Sequence, residues 1–313
     1  MKGLELSKQY YLEHGKPMLE RSFSEILPFI AVGLVGSGSE CLGFDDDISK
    51  DHDFEPAFCI FLPSESIVDR KTEFALERAY SKLPNEFLGF HKAPLSPVGG
   101  NRHGIIRIED FFTKTTGSPS GELDAFDWLS IDEQALLEAT SGEVFFDGLG
   151  QFSAIREKIS YFPEDIRLKK LAGHLLNMAQ SGRYNYQRCI LRQEYAAAQL
   201  AIFEFVKSAL HVIFMLNKRY VPYYKWSFRA LRELNVLSSL HEVLEFLISN
   251  DNKAENIKTK EKIIETICQE IISILHANNL IAHSTKELES CAYEINDRII
   301  QENIRNMHIL CAI

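Results

Sequence analysis

The spacing of apolar residues changes character near residue 150, and that change constrains the fold more than any other feature of the chain. Before it, short apolar runs bounded by glycine, proline and acidic residues read as strands: Pro28–Gly36, Asp51–Leu62, Gly104–Phe112 and Glu143–Gly148. Helical spacing occupies residues 4–26, broken near His14–Pro17, and then Asp69–Leu83 and Asp132–Thr140. After residue 150 only helical periodicity is found. It covers Glu164–Gly182, Glu194–Tyr220 (ended by Pro222), Ser238–Asn250, Thr259–Asn279 and Ser284–Leu310, with Asp251–Lys258 as an exposed loop. The fold class is therefore α+β, with a mixed-sheet domain over residues 1–150 and an all-α helical bundle over 151–313.

Charge divides along the same line. Residues 1–150 hold 13 basic and 26 acidic residues, and residues 151–313 hold 21 and 18. An acidic half joined to a mildly basic one suits a split site, with carboxylates for cations and basic groups for phosphates, as well as it suits chance composition. The overall balance of −10 argues against sequence-blind binding to long nucleic acid, which needs a basic surface. No uninterrupted apolar run reaches the length of a membrane helix, and the charged first residues do not resemble a signal peptide. Six scattered cysteines without a CxxC pair favour reduced thiols. These features together give the expectation of a cytoplasmic protein that does not engage a membrane.

The stretch Gly36–Phe61 carries the chemistry. Five aspartates fall within nine residues, Asp45 to Asp53, between a small-residue turn and an apolar run. In a strand, Asp51 and Asp53 would share a face while His52 points away. Two adjacent carboxylates resist joint ionisation unless a cation lies between them, and hard oxygen ligands favour Mg²⁺, one ion or two. Such ions bridge phosphates in a displacement at phosphorus. Upstream, the turn Gly36-Ser37-Gly38-Ser39 offers backbone N–H groups and the Ser37 and Ser39 hydroxyls to a phosphate, without an obstructing side chain at Gly36. Asp45-Asp46-Asp47 reads as a surface loop or helix start.

The order apolar strand, Gly-Ser, thirteen residues, Asp-His-Asp, apolar strand resembles the signature of the nucleotidyltransferase superfamily, the DNA-polymerase-β-like fold. The match falls on Val35, Gly36, Ser37, Asp51 and Asp53. The wider wording LVGSGSECLGFDDDISKDHDF is similar to an uncharacterised bacterial domain-of-unknown-function family. That family joins a nucleotidyltransferase-like half to a helical half like the C-terminal domain of kanamycin nucleotidyltransferases. SGEVFFDGLG (Ser141–Gly150), LNKRYVPYYKWSFRAL (Leu216–Leu231) and IRNMHI (Ile304–Ile309) carry the same likeness. The resemblance implies that Asp51 and Asp53 hold metal and that Gly36 and Ser37 touch a triphosphate. It also implies a third carboxylate from a neighbouring strand. Phasing of Gly104–Phe112 puts Asp110 with the core-facing Ile106 and Ile108, and Glu109 on the other face, which makes Glu109 the choice as third ligand or base.

Further residues have two readings each. Arg102, in the glycine-rich PVGGNRHG, could close on phosphates or be a solvated turn residue. Lys225, with Arg219 and the aromatics of Tyr220–Trp226, could grip a nucleotide or acceptor, or the group could plug the bundle. The histidines of the second half lack metal-ligand spacing, and no Walker loop, Rossmann fingerprint or GxSxG elbow is present. The expected function is Mg²⁺-dependent transfer of a nucleoside monophosphate from an NTP substrate to an unknown small-molecule or protein acceptor. Its rivals are a non-catalytic metal–nucleotide-binding regulatory module and an RNA-modifying nucleotidyltransferase.

Overall fold

The computed structural model describes residues 1–51, 54–92, 103–282 and 284–313, with the backbone alone at 50 and 51. The chain divides into two compact units, Met1–Leu123 with Ile131–Ser160, and Asp124–Ser130 with Tyr161–Ile313. The first mixes strands and helices and the second is helical, so the molecule is α+β.

In the first unit, β1 (Ala31–Val35), β2 (Cys59–Leu62), β5 (Gly104–Arg107) and β6 (Gly142–Asp147) form one sheet in the order β5-β2-β1-β6. β1 runs antiparallel to β2 and β6, and β2 runs parallel to β5. A separate hairpin pairs β3 (Glu86–Phe87) with β4 (Phe90–His91). The helices are α1 (Gly3–Tyr10), α2 (Lys16–Ser22), α3 (Arg70–Tyr80), α4 (Ile108–Thr116), α6 (Glu133–Thr140) and α7 (Gln151–Lys158), while α5 (Ala125–Ser130) belongs to the second unit. β1 and β2 are buried at every position because both faces of the sheet are covered. On one face Val32, Phe58, Ile60 and Leu62 pack with Leu6, Tyr10, Leu19 and Leu76. On the other, Phe61 stacks on Phe152 at 4.1 Å with the rings of Phe111 and Phe112 beside them. That double cover explains why these strands read as solid apolar runs.

Local structure departs from the sequence reading at several points. The helix expected to break at His14–Pro17 instead passes through a π-turn, Tyr11–Gly15, into α2. The wider turn tolerates Pro17, which has no N–H to give, at the start of the next helix. Gly15 lets Phe58 in, since a Cβ there would lie 2.4 Å from its ring. The strand expected over Asp51–Leu62 starts only at Cys59; Asp51 closes a 3₁₀ turn, Ile48–Asp51. Pro56 cannot donate to a ladder, and β1 pairs only from Cys59 onward. The strand expected over Gly104–Phe112 is two elements, because α4 begins at Ile108. Ile108, Phe112 and Thr116 are buried at helical spacing, and Glu109 and Asp110 fill the acidic first turn that a helix N-terminus favours.

The second unit contains α8 (Glu164–Met178), α9 (Tyr186–Leu191), α10 (Tyr195–Leu216), α11 (Tyr224–Arg232), α12 (His241–Ser249), α13 (Ala254–Ala277), α14 (Leu288–Asp297) and α15 (Glu302–Arg305). α8 packs against α10 and α14. A second π-turn, Ala179–Asn185, joins α8 to α9, and there Gly182 admits Phe205: a Cβ would stand 2.3 Å from that ring. α10 ends at Leu216, well before Pro222, with Lys218 in the left-handed region and the Asn217 amide bonded both ways to Val236. The loop expected over Asp251–Lys258 is already helix from Ala254. The single helix expected over Ser284–Leu310 is interrupted, because the Asp165 carboxylate accepts the N–H groups of Ile300 (3.0 Å) and Gln301 (2.9 Å) ahead of α15. By length and composition α10 could cross a membrane, though more than half of it is buried against its neighbours.

Candidate functional site

The strand directions bring four chain segments to one edge of the first unit's sheet. β1 ends there at Val35, and β2, β5 and β6 begin there, since Gly33 pairs with Cys59, Cys59 with Gly104, and Val35 with Gly142. Gly36 turns the chain out of β1 at φ +109°, a conformation that a side chain would strain. Gly36 is buried, Ser37 is exposed and Ser39 is half-buried. The turn is tied down: the Ser141 hydroxyl donates to Gly36 O at 3.0 Å, Gly142 N to Cys41 O at 2.9 Å, and Phe44 N to Ser39 O at 2.8 Å. Behind it the Arg156 guanidinium donates to the carbonyls of Ser141 (2.9 Å) and Thr140, closing the C-terminus of α6. Burial lowers the pKa of Arg156, and the group stays a cation within the ordinary pH range. A fixed turn with a half-buried positive charge behind it suits an anion by elementary electrostatics.

Most of the acidic stretch has other work. The Asp45 carboxylate is buried and accepts the Gly3 N–H at 2.8 Å, at the start of α1, with the Lys2 ammonium 3.3 Å away. Asp46 accepts from Ile48 N, Ser49 N and the Ser49 hydroxyl, shaping the 3₁₀ turn that follows. The backbone of Asp51 closes that turn; its side chain, and the whole of Asp53 and Arg102, lie outside the described residues. Among the described residues no group of three or more His, Cys, Asp or Glu is placed to hold a metal ion.

Glu109 stands at the other edge of the sheet. It follows β5, whose last residue Arg107 pairs with Leu62 at the end of β2, and it lines a pocket of about 350 Å³ with Ser64, Arg70, Glu73, Arg107 and Asp110. Arg107 is clamped there by the carbonyls of Pro63 (2.7 Å) and Val68 (2.8 Å) and by Glu73. What α4 delivers toward the Gly36 turn is the ring of Phe111, 3.8 Å from where a Cβ on Gly36 would be. The described carboxylate beside the start of β2 is Glu55, paired with His103 Nε2 at 3.5 Å just before β5. Its signal was in the sequence: Glu55 continues the alternation Asp51, Asp53 by two more residues. Arg156 carried no such signal, because only the fold brings α7 behind the turn.

Lys225 belongs to the second unit, exposed on the first turn of α11, with its ammonium 5.1 Å from the Trp226 ring. Its aromatic neighbourhood divides between the two readings. Tyr220 is buried against Tyr161 and Phe162, whereas Tyr223 and Tyr224 are exposed, their rings tilted against each other at 4.1 Å.

In comparison with known families, residues 128–227 match a family described as "Domain of unknown function (DUF4037)". The matched segment runs from α5 through β6 and α8 to the first residues of α11, and includes Lys225 but not the Gly36–Phe61 stretch. No curated protein and no solved structure matches the chain.

Proposed function

We propose that this chain is a Mg²⁺-dependent nucleotidyltransferase whose first unit seats the triphosphate of an NTP at the Gly36 turn. The observation that carries the reading is the anchored Gly36–Ser37 turn at the end of β1, on the sheet edge where β2, β5 and β6 begin, with the half-buried Arg156 behind it. Exposed backbone and the Ser37 hydroxyl suit phosphate oxygens there. Asp51 and Asp53, in the segment that precedes β2, are the residues that would hold Mg²⁺, which when bound would shield the charge of the phosphates. The acceptor would be a small molecule or a protein side chain, in keeping with the acidic balance of the chain.

The rival reading, a nucleotide-binding module without transferase chemistry, draws support from Glu109, which lies in the first turn of α4 beyond the opposite edge. In the transferase reading Glu55, paired with His103, takes the role expected of Glu109. The test is calorimetric titration of the full chain with each NTP, with and without Mg²⁺, beside an Asp51→Asn/Asp53→Asn double variant. Micromolar binding that needs Mg²⁺ and weakens about 100-fold in the double variant, at unchanged melting temperature, is the expected result. Binding by the double variant as tight as by the wild type would overturn the metal assignment, and no binding of any NTP would overturn the reading. Turnover lost in Glu55→Gln with NTP binding intact would separate the transferase from the module.

A further inference from the structure

A second basic site lies in the first unit, apart from the Gly36 edge and sharing no residue with it. α2 and the C-terminal half of α3 flank an open groove of about 550 Å³, floored by Pro17, Met18 and Leu83. Arg21 reaches it from α2, and Arg78 and Lys82 from the end of α3 and the turn after it. All three are exposed, and none forms an ion pair with a described residue. Like charges four residues apart on a helical turn repel, so Arg78 and Lys82 cost stability as they stand, and Arg21 faces them from the neighbouring helix. The unit has carboxylates to spare, yet among the described residues Glu13 is the only one that lines the groove. The π-turn Tyr11–Gly15 bears on this arrangement. Its extra residue per turn rotates α2 by about 100° against the line of α1, and so resets which residues α2 turns toward α3.

We propose that this groove binds a multiply charged, phosphate-bearing small anion, independently of the nucleotide reading above. Two guanidinium groups and an ammonium match several phosphate oxygens, the guanidinium forks by paired N–H donors and the ammonium as a point charge. The volume is that of a small-ligand pocket, and its apolar floor accommodates the uncharged part of such a ligand.

The probe is inorganic tripolyphosphate, titrated into the full chain at low salt in EDTA, with orthophosphate and citrate as companions. Wild type should bind tripolyphosphate more tightly than either companion, and the affinity should fall as salt is raised. Arg78→Ser/Lys82→Ser should weaken it at least tenfold, as should Arg21→Ser alone, while Asp51→Asn/Asp53→Asn leaves it unchanged. The substituted side chains are exposed, and an unchanged melting temperature checks that the fold is kept. Absence of binding, or affinity equal to that of the wild type in both groove variants, overturns the site. Citrate binding as tightly as tripolyphosphate overturns the phosphate assignment. Loss in the aspartate variant with none in the groove variants assigns the anion to the Gly36 edge instead.

Discussion

α8 and α10 pack against each other in the second unit and differ in what they bury. α10 is the more apolar of the two, yet Tyr195, Leu200 and Phe203 stand 49, 64 and 45% exposed on it. α8 carries Arg167, Lys169, Lys170 and His174, and every one of its residues except Glu164 and Asn177 is buried. Composition alone would exchange their places. The difference is that each polar group of α8 described here meets a partner. Lys169 donates to Asn296 Oδ1 (2.9 Å), Arg305 O (3.3 Å) and Met307 O (2.6 Å), and Arg167 forms a two-pronged pair with Glu164. A buried ammonium is tolerated when all three of its donors are matched, and here its acceptors hold the C-terminal segment onto the helix. α8 thus works as a polar spine, and α10 as an apolar helix with a face left over.

The comparison breaks most easily at Lys169. Lys169→Met keeps most of the volume, removes the three donors and strands Asn296 Oδ1 and Met307 O, while Arg305 O keeps the Asn296 amide N–H. At roughly 1 kcal/mol for each stranded group, the unfolding free energy should fall by about 2 kcal/mol in urea titration. A loss under about 1 kcal/mol would mean that the C-terminal segment does not depend on this lysine.

His174 sharpens it next. Its ring stacks on His211 at 4.3 Å, and its pKa is held well below the usual value by burial, by His211 and by Lys170 and Lys207. A depressed folded pKa means that the unfolded chain takes up the proton first. Stability is then full above about pH 6.5 and declines as the pH falls below it. For a single proton the decline cannot exceed about 1.4 kcal/mol per pH unit. His174→Gln should remove that part of the acid sensitivity, and denaturation of both proteins at pH 7.5 and pH 5 measures it. An equal decline in the two would place the acid-sensitive group elsewhere.

These helices also show what could be read from the chain. The 3.6-residue period located α8, α10 and α13, and also α3 and α6, whose first free N–H groups the side chains of Asp69 and Asp132 accept. What periodicity could not supply was partnership. Ile105, Ile106 and Ile108 form a run that a strand and a helix start share equally, and only the sheet register assigns Ile108 to α4 and so moves Glu109 to the far edge. The break before α15 depends on Asp165, more than 130 residues upstream, and no local pattern reports it. At the candidate site the Gly36 turn was legible because a strand end followed by Gly-Ser is a local event. Arg156 was not, because its role exists only once α7 lies behind β6.

The smallest effect is expected where α10 is most apolar. Leu200 and Phe203 lie one turn apart on its exposed side, so replacing them removes little surface that folding had taken from water. Leu200→Ser/Phe203→Ser should change the unfolding free energy by no more than about 0.5 kcal/mol for each site, mainly through the weaker helix propensity of serine. The same pair of changes two residues further along, at the buried Ile202 and Phe205, would cost several kcal/mol. Phe205 in particular fills the space that Gly182 leaves at the π-turn. If the exposed pair proved as costly as the buried one, that face of α10 would have to be covered in solution. A fall in apparent mass of the double variant, measured by sedimentation, would then identify the cover as another copy of the chain.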